Sequence, residues 1–517
     1  MKTTRYIDTR GKSQNPIEFS EAVLDGIAAN GGLYVPESLP KLSLDQILSL
    51  AEMPYWKQAA FIYEQFGVDF SSAELEELMQ LAYGSNFDTE EVCPIHSINK
   101  QMHFLELWHG PTSAFKDMAL QCLPVFFSAS AKRQKEAGKL ENDFMIFVAT
   151  SGDTGKAALE GFKNKDGVKI AVVYPHGGVS DIQHKQMATQ DGKGTMVWAV
   201  RGNFDDCQNA AKACFANVNF AKKLEEGYNT LLSSANSINW GRLLPQVVYY
   251  VSAYARMVAQ EKLFPGDALD VCVPTGNFGN ILAAWYAKQI GTPIGQLICA
   301  SNENHVLSDF INTGTYDISN REFILTPSPS MDILISSNLE RLLFEITQKD
   351  SGKINEWMLS LKKDRKFKVD IETFKRMRQE FICGWASSQE CFNAISEVFK
   401  KHNYLIDPHT AVAYECATRT SLDNPVLIAS TAHWAKFGDA VYKAIEGISP
   451  ASPLPAELEK LTGCELNQEI VKKTGLDFIP SNLLGLDDRE IVFSRVINSN
   501  EEDIEGAIES FLASRND

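Results

Sequence analysis

Six short apolar runs constrain the fold of this chain more than any other feature: 144–149, 170–174, 196–200, 269–273, 297–300 and 426–429. Each is almost continuously apolar, without strict alternation, as in strands covered on both faces. Each ends in glycine, proline or small polar residues. Amphipathic helical stretches, such as 205–215 and 281–289, lie between them. This alternation predicts an α/β fold with largely parallel sheets, whose ligands sit outside the carboxyl ends of the strands.

Two regions depart from the pattern. Residues 1–90 read as short helices and loops, with turn signals such as Asn30-Gly-Gly32 and repeated prolines. Residues 340–402 are charged and helical, and read as a solvated helical insertion packed on the core. The tail after Pro450 opens with a Ser/Pro-rich linker and closes with an acidic amphipathic helix over 502–513. The expected division is an N-terminal domain over 1–90, a core of two lobes over 91–450 including that insertion, and a C-terminal extension over 451–517.

Composition narrows the function. A net charge of −17 argues against a nucleic-acid platform, although local donors still permit a small anionic substrate. The ten cysteines include no Cys-x-x-Cys pair, and no His-Glu-x-x-His is present, so no metal site is expected. The cysteines read as buried, reduced thiols. With no signal-like segment, and no apolar run near the roughly 20 residues of a membrane span, the expectation is a cytoplasmic protein without a membrane partner.

Six runs could carry chemistry. Lys116 lies in His109-Gly-Pro-Thr-Ser-Ala-Phe-Lys-Asp117. It reads either as a buried stem whose ammonium pairs with Asp117, or as a partly desolvated amine reactive toward aldehydes. The first strand leads into Thr150-Ser-Gly-Asp-Thr-Gly155, either an anion-binding strand-to-helix turn or a capped structural one. It is no P-loop, since Thr150 stands where glycine is required and Ala157 where Ser or Thr binds magnesium. Pro274-Thr-Gly-Asn-Phe-Gly-Asn280 is a phosphate cup or a plain tight turn, and lacks the G-x-G-x-x-G spacing of a dinucleotide site. Ser430-Thr-Ala-His-Trp-Ala-Lys-Phe437 places hydroxyls at a strand end, where they can bond a heterocycle nitrogen, and its His433 reads more readily as a core histidine than as a base. Asp407-Pro-His-Thr410 looks like a helix cap. Ser233-Ser-Ala-Asn-Ser-Ile-Asn-Trp-Gly-Arg242 is either a polar loop or a site whose arginine forks onto phosphate or carboxylate.

Taken in order, these runs resemble the threonine synthases, in particular the longer class of fungi and many bacteria. Tyr6-Ile-Asp-Thr-Arg-Gly11, Phe19 to Gly26 and Asn30-Gly-Gly-Leu-Tyr-Val-Pro-Glu37 extend the likeness to the N-terminal region. Ser113 stands where that family often has Leu, and Trp434 where Pro is usual.

The resemblance implies a fold-type II pyridoxal-phosphate enzyme, similar to tryptophan synthase β, with mostly parallel sheets in two lobes and an N-terminal domain. It implies that O-phospho-L-homoserine and water become L-threonine and phosphate, the last step of threonine biosynthesis, in a monomer or homodimer. Lys116 then matches the Schiff-base lysine that also shuttles protons. Gly276, Asn277, Phe278, Gly279 and Asn280 match the cofactor-phosphate loop, and Thr431 the partner of the pyridine nitrogen. Ser151, Asp153 and Thr154 face the substrate's amino-acid moiety, while Asn236, Ser237, Asn239 and Arg242 hold its phosphate, with Lys156 a further candidate cation. A phospho-lyase releasing a keto acid, or a non-catalytic cofactor-binding homologue, are the alternatives.

Overall fold

The computed structural model describes residues 3–11 and 15–514, so both ends of the chain fall partly outside the described residues. All six apolar runs are strands, in two sheets. The larger sheet has the order Phe381–Trp385, Ile294–Ser301, Leu269–Pro274, Val426–Ser430, Met102–Glu106 and Ile95–Ser97. Only its last pair is antiparallel. The smaller sheet is wholly parallel, in the order Val496–Asn498, Thr195–Arg201, Val168–Pro175, Asp143–Ala149 and Thr230–Ser233.

The helix Trp240–Ala259 is buried along most of its length. It is apolar nearly all round, as a helix enclosed by its neighbours must be. It packs on Gly279–Gln289, on Leu44–Ser49 and Tyr55–Gln65 of the N-terminal region, and on the short helix Lys116–Leu120. The N-terminal region shares the main core through aromatic contacts: Tyr63 stacks on Phe126 at 4.9 Å and Phe19 meets the same ring edge-on at 5.5 Å.

Two stretches are built differently from their sequence reading. Segment 340–402 is not purely helical. Between Ile371–Glu380 and Ser388–His402 it supplies the edge strand Phe381–Trp385, parallel to Ile294–Ser301. That strand is five residues long and lies between two charged helices, so its periodicity is masked. The tail likewise returns to the fold: Val496–Asn498 pairs with Thr195–Arg201, and Glu501–Ala513 buries Ile504, Ile508 and Phe511 against the smaller sheet.

Candidate active site

The predicted runs converge at the carboxyl ends of both sheets. The strand Asp143–Ala149 feeds the Thr150–Gly155 turn, Leu269–Pro274 feeds the glycine turn, and Val426–Ser430 feeds Thr431 to Phe437. Lys116 begins its helix from a loop pinned to the last of these. Phe115 N donates to Thr431 O at 2.7 Å and His433 N donates to Ser113 O at 3.1 Å.

Lys116 is buried. Its Nζ lies 3.3 Å from Ser330 Oγ, 3.8 Å from Asp153 Oδ2 and 4.5 Å from the centre of the Phe115 ring. Asp117 is not its partner, because that carboxylate accepts from Thr112 N at 2.8 Å and Thr112 Oγ1 at 2.7 Å. Burial pushes the Lys116 amine down to about 8, opposed by Asp153 and reinforced by the nearby charges of Arg242 and Lys436.

Asp153 opens the helix Asp153–Phe162, where the dipole favours a carboxylate. Its Oδ1 accepts from Lys436 Nζ at 3.0 Å and Gln183 Nε2 at 2.9 Å. Burial alone would raise this carboxyl, yet the Lys436 and Lys116 ammonium groups hold it well below the usual range. Lys436 is fully buried and also donates to Thr112 O at 2.7 Å. In the 430–437 run alone nothing distinguishes it from a lysine with a snorkelling stem. Thr150 Oγ1 accepts from Gly152 N and Gly155 N, so this hydroxyl braces its own turn. Ser151 and Thr154 are half-buried in the same turn.

In the glycine turn, Phe278 adopts φ 65° ahead of Gly279–Gln289, a helix without a side-chain N-cap. Its first amides are therefore available to an anion. Asn280 Oδ1 accepts from the hydroxyls of Tyr249, at 2.7 Å, and Tyr250, while Asn280 Nδ2 is buried without a partner. Asn277 Oδ1 accepts from Ser337 Oγ at 3.2 Å, and Gly276 O accepts from Ser336 Oγ at 2.7 Å. A Cβ on Gly276 would come within 2.7 Å of Ser330 O, so only glycine lets the Ser330 loop close on the turn.

The 233–242 segment divides. Asn239 caps the helix Trp240–Ala259 through Gly241 N and donates to Val23 O at 2.9 Å, which commits both ends of its amide to structure. Ser237 Oγ lies 3.4 Å from Ser337 Oγ, and Asn236 is half-buried beside it. Arg242 is buried, with one bond from Nη1 to Ala235 O at 2.9 Å and a partnerless Nε. Among the described residues no carboxylate pairs with it. Lys156 is diverted, since its Nζ donates to Gln190 Oε1 at 2.6 Å and Glu160 Oε2 at 3.2 Å.

His433 and His409 are held by local hydrogen bonds. His433 is pushed down to about 3 by burial, and its Nδ1 accepts from Ala435 N at 3.2 Å. His409 Nδ1 lies 2.6 Å from Asp407 Oδ1, while its Nε2 accepts from Ser330 N at 3.2 Å. Trp434 is buried 5.2 Å from the His433 ring. Among the described residues there is no metal-ligand cluster, and no helix long and apolar enough to cross a membrane.

The chain matches three family models: "Threonine synthase N terminus" over residues 5–83, "Pyridoxal-phosphate dependent enzyme" over 96–430 and "Threonine synthase, C-terminal" over 410–481. Human threonine synthase-like 1 is 44% identical over 437 residues, covering 83% of this chain, and the chain spans only 58% of that relative's length. Threonine synthase of Pseudomonas aeruginosa is 39% identical over 461 residues, covering 88% of this chain and 93% of that protein. The crystal structure of pyridoxal-phosphate-bound threonine synthase from Brucella melitensis superposes with a TM-score of 0.83 at 36% identity, covering 99% of this chain and 100% of that one. The fold is thus that of the fold-type II pyridoxal-phosphate enzymes. The donor set fits the cofactor: a buried, easily deprotonated amine for its aldehyde, and for its phosphate a turn of free amides beside the partnerless Asn280 Nδ2. The chain belongs to the threonine synthase family of pyridoxal-phosphate-dependent enzymes.

Proposed function

We propose that the chain converts O-phospho-L-homoserine and water to L-threonine and phosphate. The observation that carries this reading is Arg242, a buried guanidinium with no carboxylate partner among the described residues, close enough to lower the Lys116 amine. Isolating such a charge is costly unless an anion completes the site. The glycine turn would take the cofactor phosphate, and Arg242 is the cation left for a second phosphate, that of the substrate.

Lys116 would hold the cofactor covalently through Nζ, with Gly276 to Asn280 around its phosphate and Thr431 at its ring nitrogen. When bound, pyridoxal phosphate supplies the electron sink that lets protons leave carbon. Lys116 Nζ removes the Cα proton and then the Cβ proton as phosphate departs from Cγ. It returns protons to Cγ and Cα, and water adds at Cβ. Asp153 holds the ammonium form of Lys116 between transfers. Arg242, with Ser237 and Asn236, binds the leaving oxygens, where a charge-assisted fork acts most strongly. Ser151 and Thr154 orient the amino-acid end. The ten free cysteines, mostly buried, support a reducing compartment such as the cytoplasm.

Incubation of the cofactor-loaded protein with O-phospho-L-homoserine, tracking phosphate and threonine together, tests the reading. Equal release of both is expected. Phosphate with 2-oxobutyrate would instead identify a lyase, and no turnover with cofactor bound a non-catalytic binder.

A further inference from the structure

The loop that presents Lys116 is held on one side by the core. Thr112 is gripped by Asp117, Lys436 and Gln186, while Ser113 and Phe115 bond the 431–433 strand end. On the other side Asn482, from the far end of the chain, reaches it. Asn482 Oδ1 accepts from Ser113 Oγ at 2.7 Å, and Asn482 Nδ2 donates to Gly110 O at 3.0 Å. The same amide therefore clasps both ends of the turn Gly110–Ser113, which closes through Ser113 N to Gly110 O at 3.1 Å.

Three features mark the clasp as more than a chance tail contact. Ser113 is fully buried at φ 57°, a left-handed conformation that an ordinary side chain adopts only at a cost. Such a residue keeps its conformation where its surroundings over-determine it. Asn482 is itself fixed, since the side chains on either side of it in sequence, Ile479, Leu483 and Leu486, are buried in the core of the larger lobe. Leu483 N also closes a turn onto Pro480 O at 2.9 Å. Finally, Asn482 lies just past the 410–481 stretch matched by the C-terminal family model, so the clasp ties a segment outside that stretch to the loop that presents Lys116.

We propose that Asn482 and Ser113 are a positioning pair: the C-terminal segment sets the Gly110–Ser113 turn and, three residues on, the place of Lys116 Nζ. This rests on Lys116 being the lysine that holds the cofactor. The hydroxyl and the amide act as one unit, because removing Asn482 leaves the buried Ser113 hydroxyl unpaired, and removing that hydroxyl releases the acceptor end of the Asn482 amide.

The test titrates full-length apoprotein with pyridoxal phosphate, following the long-wavelength absorbance of lysine-bound cofactor and the fraction fixed by borohydride. Asn482→Leu is expected to weaken cofactor binding about tenfold and to lower the fixed fraction, with the far-UV spectrum unchanged. Ser113→Ala, a milder change that keeps the fold, is expected to give a smaller loss in the same direction. The double variant is expected to match Asn482→Leu, since the two act through one bond. Asn482→Asp, which keeps the acceptor for Ser113 but loses the donor to Gly110, is expected to fall between. Unchanged affinity and fixed fraction in both single variants, or fully additive losses in the double variant, would overturn the pair. Lys116→Ala run alongside separates the two claims. Loss of the absorbance there with unchanged Asn482 and Ser113 variants sinks only the positioning pair, whereas its retention sinks the reading of Lys116 and the pair with it.

Discussion

Lys436 Nζ stands 3.0 Å from Asp153 Oδ1, and the other oxygen of that carboxylate stands 3.8 Å from Lys116 Nζ. One buried anion is thus shared by two lysines, and the closer claims it. Lys436→Met keeps the length of the side chain and removes its charge. Asp153 then turns to Lys116, whose ammonium form becomes favoured. Capture of pyridoxal phosphate by the apoprotein is expected to shift to higher pH, with a stability loss smaller than the ~3–5 kcal/mol of an uncompensated buried charge, since Lys116 still faces Asp153. An unshifted pH profile in a folded variant would show that Lys436 does not govern the amine.

Lys116 itself should react far below an ordinary lysine. With its amine pushed down to about 8 by burial, the apoprotein should take up pyridoxal phosphate with a midpoint near that pH. The sign for folding follows. Between about 8 and the ordinary lysine value near 10.4 the unfolded chain binds the additional proton, so this group makes the apoprotein more stable as pH rises through that window. Lys116→Met should remove that part of the slope in thermal melts between pH 8 and 10.

Gly276 tests the glycine turn separately from the lysine. Its Cβ would meet Ser330 O at 2.7 Å, a backbone atom that cannot swing aside. Gly276→Ala should displace the loop whose Ser330 Oγ lies beside Lys116 Nζ, and weaken cofactor binding at least tenfold, a loss of about 1.4 kcal/mol. Equilibrium titration of the apoprotein measures it, and parent-like affinity would remove the turn from the cofactor site.

The strands were legible because a strand covered on both faces is nearly continuous in apolar residues, as 426–429 is throughout and 269–273 is but for Asp270. Met102–Glu106 carries no such signal, because His103 and Glu106 flank its two central apolar residues; both are buried, His103 Nδ1 against Ser97 Oγ and Glu106 Oε2 against His109 Nε2. At the site, residues named by their local run were found where the strand ends put them. Lys436 and Ser330 were not, for a different reason. A lysine in an apolar run and a serine in Thr326-Pro-Ser-Pro-Ser330 look like a snorkelling stem and a turn until the fold sets them against Asp153 and Lys116. Asn239 shows the converse, a residue with the right neighbours in sequence whose amide is spent on a helix cap and on Val23.

His109 offers a pH-dependent stability test. Its Nδ1 lies 2.5 Å from Asp88 Oδ1 and its Nε2 2.8 Å from Glu106 Oε2, so both nitrogens face carboxylates. Burial would lower it, but those two hydrogen bonds raise it to about 9. A raised folded value means the stabilisation is complete below about 6.5, the unfolded value, and is lost as pH rises through about 9. The contribution is at most on the order of 3 kcal/mol, reduced by solvent screening at the partly exposed Asp88. Melting temperatures of the parent should fall across pH 6.5–9 more steeply than those of His109→Gln. Parallel curves would contradict the doubly bonded imidazolium.

Arg242 separates function from stability. Its guanidinium is buried, its Nε has no partner, and burial pushes it down to about 10, so in the unliganded fold it is a charge without compensation. Arg242→Met fills similar space without that charge, and replacing a poorly compensated buried ion with an apolar group is often neutral or stabilising by about 1–4 kcal/mol. The apoprotein variant should melt at or above the parent temperature. Turnover of O-phospho-L-homoserine should meanwhile fall by at least about 100-fold, the scale of a lost transition-state donor, and added phosphate should no longer raise the melting temperature of the protein. A variant that melts well below the parent would show that the bond to Ala235 makes Arg242 structural. A stable variant still protected by phosphate would move the substrate phosphate elsewhere in the site.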